Sequence, residues 1–239
     1  MKHEAAEPAK ECEGWCPVCE GPATFRSAYD WLRDHYRCLA CQSLPRERAL
    51  VATLLAAVPG WDLLRVHEFA PGGSASEFMR TRCPAWMYSH YWPEAERGGL
   101  VRGMPNQDLQ RLTFDDDSFD VVITQDVFEH VPDPAAALRE VARVLVPGGR
   151  HVWTVPIHAR PVTVVRAEVV DGVLRHLCEP EYHGNPVDAN GALVFREWGG
   201  DIVDFVLSSS GMVTERVAGT RPELGIEGDF LDVLVSRKA

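Results

Sequence analysis

Residues 63–79 place an apolar segment, a glycine turn and a possible helix start in direct succession. The apolar segment predicts a buried strand ending near the acid Glu68, and its apolar members are Leu63, Leu64, Val66 and Phe69. Residues 71–74, Pro-Gly-Gly-Ser, then turn the chain. Glycine lets the backbone approach a ligand closely, and the first N–H groups of a helix carry roughly half a positive charge. We therefore predict a nucleotide-binding corner here, with an ordinary loop before a helix as the alternative.

Two C-x2-C pairs stand near the N-terminus, with 18 residues between them, and consist of Cys16, Cys19, Cys38 and Cys41. Each pair can aim two thiolates at one point, and two pairs complete the tetrahedron that Zn²⁺ prefers. Because four protein ligands leave no open position, we predict a structural zinc site. Buried free thiols are the alternative, and a redox pair is disfavoured because no βαβ pattern surrounds the cysteines.

Aromatic residues and arginines are interleaved between the two cysteine pairs, in residues 25–37. Such a mixture can stack nucleic acid bases. In a module this small, the same residues more often form the module's core and its docking face. We predict the second role and keep base stacking as the alternative.

Three later segments extend the pattern of the glycine corner. Asp108-Leu109 precedes a short apolar stretch, and residues 119–126, Phe-Asp-Val-Val-Ile-Thr-Gln-Asp, predict a strand with polar residues at its carboxyl end. An amphipathic helix then stops at residues 147–149, Pro-Gly-Gly. In this order the motifs resemble those of class I S-adenosylmethionine-dependent methyltransferases, over about residues 50–239.

The resemblance implies a doubly wound α/β fold around a mostly parallel, seven-stranded sheet. A small N-terminal zinc ribbon would precede it. We place a charged tail and the ribbon in residues 1–45 and the methyltransferase domain in residues 46–239, with a substrate-cap insertion at about residues 157–198. The sequence contains no internal repeat and no low-complexity tract.

Local signals predict further elements. A helix begins at Pro45 and ends at residues 59–60, and another begins with Asp133 as its N-cap. A β-hairpin turns at Asp171-Gly172, the favoured turn for this motif. The remaining predictions are a second strand at residues 86–92, a helix at 201–207 and a final antiparallel strand pair at 213–217 and 230–235.

The resemblance also implies that S-adenosylmethionine lies across the carboxyl ends of the first, second and fourth strands. Glu68 would bind its amino group, and residues Gly72 and Gly73 would allow its close approach. Asp108 would contact the adenine amino group, with the Leu109 backbone N–H on the ring.

The chain departs from the family pattern at two positions. Ala70 stands where the family often has its first glycine, so we expect Ala70 to keep a negative φ. The second strand lacks the acid that usually binds the ribose; His90 is the nearest substitute, and Glu94 follows. At the end of the fourth strand, Gln125 and Asp126 are expected at the ligand crevice.

The acceptor side is predicted in the polar loop at residues 179–186. His183 is the first candidate general base, because a free imidazole with a pKa of about 6.5 accepts a proton at neutral pH, and His158 is the second. Glu181 would orient His183. Residues predicted to contact the substrate are His130, which follows Glu129, together with Glu181, Tyr182 and Asn185. The alternative is that His130, His183 and Asn185 only close turns.

The composition of the chain limits the classes of partner and the environment that we expect for it. The chain has 239 residues, a net charge of −11 and 46% hydrophobic residues, so it can bury one full α/β core, and its acidic surface disfavours nucleic acid. No stretch approaches the roughly 18 apolar residues of a membrane helix, and the charged N-terminus is not typical of a secretory signal. Because seven cysteines occur without such a signal, we expect a reducing, cytoplasmic environment.

These observations predict methyl transfer from S-adenosylmethionine to a small molecule, such as a sugar or another natural-product intermediate. Two alternatives stay open. One is an RNA base methyltransferase that uses the zinc ribbon for RNA binding. The other is a non-catalytic, cofactor-binding scaffold protein.

Overall fold

The computed structural model describes residues 9–185 and 188–239, and it begins with a small antiparallel sheet that carries the cysteine pairs. The strands and the helix of this module are β1 (Lys10–Cys16), β2 (Gly21–Ser27), α1 (Leu32–His35) and β3 (Arg37–Cys38), in the sheet order β1-β2-β3. Residues 1–8 of the predicted tail lie outside the described residues, whereas Lys10 and Glu11 belong to β1.

The glycine corner follows a long helix. The elements are α2 (Pro45–Ala57), β4 (Val66–Phe69), α3 (Gly73–Arg82) and β5 (Trp86–Ser89). The predicted helix start at Pro45 is confirmed. The predicted first strand is shorter than expected, because Leu63 ends a 3-10 turn that opens at Gly60 with φ +73, and its side chain is exposed.

The middle of the chain supplies the two central strands of the large sheet. Its elements are β6 (Leu100–Val101), β7 (Met104–Pro105), β8 (Phe119–Gln125), α4 (Pro134–Val144) and β9 (Leu145–Thr154). Asp133 caps α4 as predicted, because its Oδ1 accepts a hydrogen bond from Ala136 N at 3.0 Å. Residues 147–149 do not stop the helix; they bulge out of β9 at a register shift against β8, where Gly148 has φ +79.

The predicted cap region forms small hairpins and precedes the last helix. Its elements are β10 (Val164–Val165), β11 (Ala167–Val170), β12 (Val173–His176), β13 (Tyr182–Asn185), β14 (Asp188–Leu193) and β15 (Arg196–Glu197), followed by α5 (Ile202–Ser210), β16 (Val213–Val217) and β17 (Val233–Arg237). The hairpin turn at Asp171-Gly172 is confirmed, with φ +52 and +76. Part of the predicted polar loop is strand β13.

The large sheet has the order β16-β17-β9-β8-β4-β5. Its strands β5, β4, β8 and β9 are parallel, and β17 pairs antiparallel with both β9 and β16. The sheet thus has six strands in the described residues, one fewer than predicted. Beyond β5 a single parallel bridge joins His90 to Asn106. Glycines and prolines in residues 93–105 interrupt any longer pairing there, and Pro105 has no N–H to donate.

Both faces of the large sheet are covered, so the four residues of β4 are all buried. One core cluster combines Phe25 and Tyr36 of the cysteine module with Leu50 of α2 and Ile123 of β8. The other contains Leu138 of α4 among residues on the opposite face. The cysteine module therefore shares a core with the α/β domain. In the described ranges, no helix has the length and apolarity to span a bilayer.

Arg48 of α2 lies at the centre of this shared core, fully buried. Its guanidinium donates to the Tyr36 carbonyl at 2.8 Å, to the Gly225 carbonyl at 2.6 Å and to the Ser43 carbonyl. It also lies 4.5 Å from the centre of the Phe25 ring. One side chain thus joins the cysteine module, α2 and the loop before β17.

Replacing Arg48 with methionine is expected to destabilise the chain by about 2–5 kcal/mol, because buried carbonyl groups lose a donor. The substitution keeps an apolar stem but removes the guanidinium donor from the carbonyls of Tyr36 and Gly225, while the Ser43 carbonyl keeps the Cys38 N–H at 3.0 Å. Chemical denaturation with a fluorescence readout measures the free energy of unfolding.

Arg80→Met is the matched control, because Arg80 pairs with Glu77 on the exposed side of α3 and should change stability by less than about 0.5 kcal/mol. Equal effects of the two substitutions would contradict the role assigned to Arg48.

Candidate active site

The carboxyl ends of β4 and β8 open on one large cavity of about 1730 Å³. The cysteine module, the glycine corner and the cap region all contribute to its wall, through residues such as Arg33, Gly72 and His183. Pockets for a single drug-sized ligand typically measure about 300–1000 Å³. This cavity therefore has room for a cofactor and a second molecule.

The glycine corner is built against a carboxylate of α2. Glu47 is buried, and its Oε1 accepts from Ser74 N at 2.9 Å while its Oε2 accepts from Leu44 N at 2.7 Å. Gly73 has φ +71, and a Cβ there would lie 1.7 Å from Glu47 Oε1. Gly72 and Gly73 both line the cavity, and only glycine fits the second position.

Glu68 lies behind the cavity wall rather than on it. Its carboxylate is fully buried and accepts from Ser76 Oγ at 2.6 Å, Gln125 Nε2 at 2.8 Å and Trp86 Nε1 at 3.1 Å. Burial raises the pKa of Glu68 to about 7, against the three hydrogen bonds. Gln125 lines the cavity, whereas Glu68 does not. The contact of Glu68 with the cofactor stays a prediction, and this arrangement disfavours it.

Ala70 takes a left-handed conformation with φ +52, so the expected negative φ is wrong. The turn between β4 and α3 imposes it, because the Ala70 N–H donates to the Ser89 carbonyl at 2.8 Å. For a residue with a Cβ, this conformation costs about 1–2 kcal/mol. The position keeps the geometry of a glycine although it holds an alanine.

His90, Asp108 and Leu109 all line the cavity, as does Glu94. His90 Nδ1 accepts from the Tyr91 N–H at 2.9 Å, so its hydrogen is on Nε2. Burial lowers the pKa of His90, which keeps the ring neutral at neutral pH. Its buried Nε2 has no partner among the described residues, so it can donate to a ligand oxygen.

Asp126 pairs with an arginine of the cysteine module. Arg33 Nη2 donates to Asp126 Oδ2 at 2.6 Å, and Thr154 Oγ1 donates to Oδ1 at 3.1 Å. Asp126 has φ +50 at the end of β8. Asp126 lines the cavity, but its carboxylate is already held by Arg33. Sequence reasoning missed Arg33, whose only signal was its place among aromatics between the cysteine pairs.

Glu129, His130 and His183 meet on the acceptor side of the cavity, with one ligand atom of each within 4.8 Å of the others. The rings of the two histidines are perpendicular, with centroids 5.0 Å apart. His130 Nδ1 bonds the Leu193 carbonyl at 2.9 Å. Burial raises the pKa of Glu129 well above its ordinary value.

Most of the other predicted acceptor residues border the same cavity. Glu181 Oε1 lies 3.5 Å from His183 Nε2, near enough to orient the ring. His158 and Asn185 also line the cavity, and the His158 ring lies 4.9 Å from that of Phe230. Tyr182 is exposed and is not among the lining residues.

Comparisons with known proteins match parts of this chain to methyltransferases. A family model described as a methyltransferase domain matches residues 93–153. Demethylmenaquinone methyltransferase of Mycolicibacterium paratuberculosis is 34% identical over 108 residues, which are 43% of this chain and 47% of that protein. Sarcosine/dimethylglycine N-methyltransferase of Halorhodospira halochloris is 48% identical over 51 residues, 21% of this chain and 18% of that protein.

A solved structure matches a larger share of the fold. It is S-adenosylmethionine-bound CalS10, an amino pentose methyltransferase from Micromonospora echinaspora, with a TM-score of 0.52 and 14% identity over 82% of this chain and 92% of that one. Residues 93–153 thus match a methyltransferase domain, and the chain shares its fold with a solved S-adenosylmethionine-dependent methyltransferase. It spans about half the length of the first curated relatives that it matches.

The four cysteines beside the α/β domain are arranged as a zinc ligand set. Cys16 and Cys41 place their sulfurs 3.8 Å apart, and Cys19 and Cys38 place theirs 3.7 Å apart. A tetrahedral site with Zn–S bonds of about 2.3 Å has sulfurs about 3.8 Å apart, whereas a disulfide has about 2.05 Å. The residues therefore fit a four-cysteine zinc site.

Ala70→Gly in the glycine corner is expected to stabilise the fold by about 0.5–1 kcal/mol. Relief of the left-handed strain exceeds the extra freedom that glycine gives the unfolded chain. Thermal unfolding followed by circular dichroism measures the difference.

The control is Ala142→Gly within helix α4, which should destabilise by about 1 kcal/mol. A loss of stability for Ala70→Gly would show that the turn does not impose the strain.

Proposed function

We propose that this chain transfers the methyl group of S-adenosylmethionine to a nucleophile on a small molecule, most favourably a sugar or another natural-product intermediate. The observation that carries the proposal is the single cavity that joins the glycine corner and Asp108 to a wall containing His158 and His183. Both reactants of a methyl transfer fit in such a cavity, next to each other.

When bound, S-adenosylmethionine supplies a methyl group on a positively charged sulfur, whose bond to carbon breaks as the acceptor's bond forms. The chain's own residues have to align the acceptor, and alignment alone can contribute several kcal/mol. A hydroxyl or ammonium acceptor must also lose a proton, for which His183 and His158 are the proposed groups. His130, Glu181 and Asn185 would hold the acceptor beside them.

The charge of the cavity supports a cationic cofactor and a small acceptor. Among the residues that the structure describes, ten carboxylate side chains and five arginines line the cavity, and no lysine does. A wall with this excess of negative charge attracts a sulfonium and repels phosphate groups. The same balance disfavours the RNA alternative.

The test begins with calorimetry of the purified chain against S-adenosylmethionine and its demethylated product. Incubation with isotopically labelled cofactor and small-molecule extracts, followed by mass spectrometry, then identifies the methylated product. Binding of neither cofactor form would end the proposal. Binding without any labelled product across the extracts would favour the scaffold alternative.

Asp108→Ala is expected to weaken cofactor binding by about 1–3 kcal/mol, because polar groups of the ligand lose their partner. The dissociation constant measured by calorimetry would rise about 5- to 150-fold.

Asp115→Ala is the matched control, since Asp115 is exposed, lies in the same part of the chain and does not line the cavity. An unchanged affinity in Asp108→Ala would place the adenine elsewhere.

We further propose that Cys16, Cys19, Cys38 and Cys41 bind one structural Zn²⁺. Since the cysteine module shares a core with the methyltransferase domain, removing this metal should lower the melting temperature of the whole chain in one transition. Scanning calorimetry with and without a strong chelator, and with Cys38→Ser, measures this.

Cys178→Ser in the cap region should leave both the zinc content and the melting temperature unchanged. Protein purified without chelator that contains no stoichiometric zinc would refute the site. A separate early transition on chelation would show that the module unfolds independently.

A further inference from the structure

Glu129 carries a buried carboxyl group whose two oxygens have no hydrogen-bond partner among the described residues. Its side chain is 2% exposed, and neither oxygen accepts a hydrogen bond from any described residue. The nearby Arg33 is held by Asp126 at 2.6 Å instead. Buried carboxylates are normally paired, hydrogen-bonded or bound to a metal. Glu129 nevertheless borders the cavity, where a ligand can reach it.

His130 presents a nitrogen lone pair to the same place. Because the Leu193 carbonyl can only accept, His130 Nδ1 carries the hydrogen of their 2.9 Å bond. The neutral ring then has its lone pair on Nε2, which lies 3.8 Å from Glu129 Oε1. A backbone carbonyl that fixes the second ring nitrogen is the usual outer partner of a metal-binding histidine.

His183 completes the set from strand β13. One ligand atom from each of Glu129, His130 and His183 lies within 4.8 Å of the other two. Ligands bound at about 2.0–2.1 Å in a tetrahedron are about 3.4 Å apart. The side chain of His183 is 39% exposed, and a small inward rotation of its ring would close the distance that remains.

We propose that Glu129, His130 and His183 bind a divalent first-row transition ion, such as Zn²⁺, in the acceptor part of the cavity. Two histidines and one carboxylate leave a coordination position open for a ligand. This second metal site is distinct from the four-cysteine site, and its role rests on the proposed methyl transfer.

The ion would activate an acceptor hydroxyl. An oxygen bound in the open position loses its proton more readily, and its lone pair then attacks the methyl carbon while the carbon–sulfur electron pair stays on sulfur. His183 would serve as a ligand, since a lone pair bound to a metal cannot also take the proton. His158 lines the same cavity outside this ligand set and is left to accept it.

The experiment uses the purified chain with its cysteine site loaded, dialysed against a weak chelator and titrated with Co²⁺. Calorimetry and visible absorption should both show one additional equivalent, without the intense thiolate-to-cobalt band that a cysteine site would give. Glu129→Gln, His130→Ala and His183→Ala should each weaken this binding at least about 100-fold, beyond the 10- to 100-fold typical of an outer partner.

His176→Ala is the matched control, because His176 is exposed on β12 and belongs to no ligand set among the described residues. Absence of the additional equivalent, or binding unchanged in the three variants, overturns the metal site. Calorimetry with S-adenosylmethionine on the same samples separates the two proposals: cofactor binding without the second ion refutes only the metal site, and no cofactor binding refutes the methyltransferase proposal.

Discussion

The buried guanidinium of Arg48 is the interaction on which the arrangement of the chain depends. A charge removed from water is tolerated only when its donors are satisfied, and here the acceptors are the carbonyls of Tyr36, Ser43 and Gly225. Tyr36 and Ser43 lie within 12 residues of Arg48, whereas Gly225 lies 177 residues away along the chain. Satisfying one side chain therefore requires the cysteine module, α2 and the loop before β17 to assemble together. The module is in this sense part of the domain's core.

The candidate site depends on the same assembly, because residues of the cysteine module and of α2 hold its wall in place. Arg33 of the cysteine module neutralises Asp126 at the end of β8, and Glu47 of α2 caps the first turn of α3. Ser74 Oγ also donates to the Cys41 carbonyl at 2.8 Å. The cavity wall is thus built from both sides of the boundary drawn at residue 45. A change that loosens the cysteine module should therefore also alter the glycine corner, although the two are separate in sequence.

Much of the fold follows from local sequence signals. The helix after Asp133 has a capping side chain and an apolar stripe, and the hairpin at Asp171 has a favoured turn, so both were predictable. The missing strand and the conformation of Ala70 were not, because strand pairing and turn geometry are imposed by neighbours. Arg33 and Asp126 are 93 residues apart in sequence, and no local sequence pattern predicts a contact over such a distance. Most of the predicted site residues therefore lie at the cavity, whereas side chains that bind them, such as Arg33, could not be predicted from the sequence.

The carboxylate of Glu47 also limits which ligands the glycine corner can bind. In many nucleotide-binding folds the free N–H groups at such a helix start receive a phosphate. Here the Ser74 N–H is already taken by an anion fixed beside Gly73. A pyrophosphate brought to this corner would meet like charge instead of open donors. The enclosed acid would thus disfavour ATP and the nicotinamide dinucleotides at this corner, whereas S-adenosylmethionine has no phosphate and need only keep its single carboxylate away from Glu47.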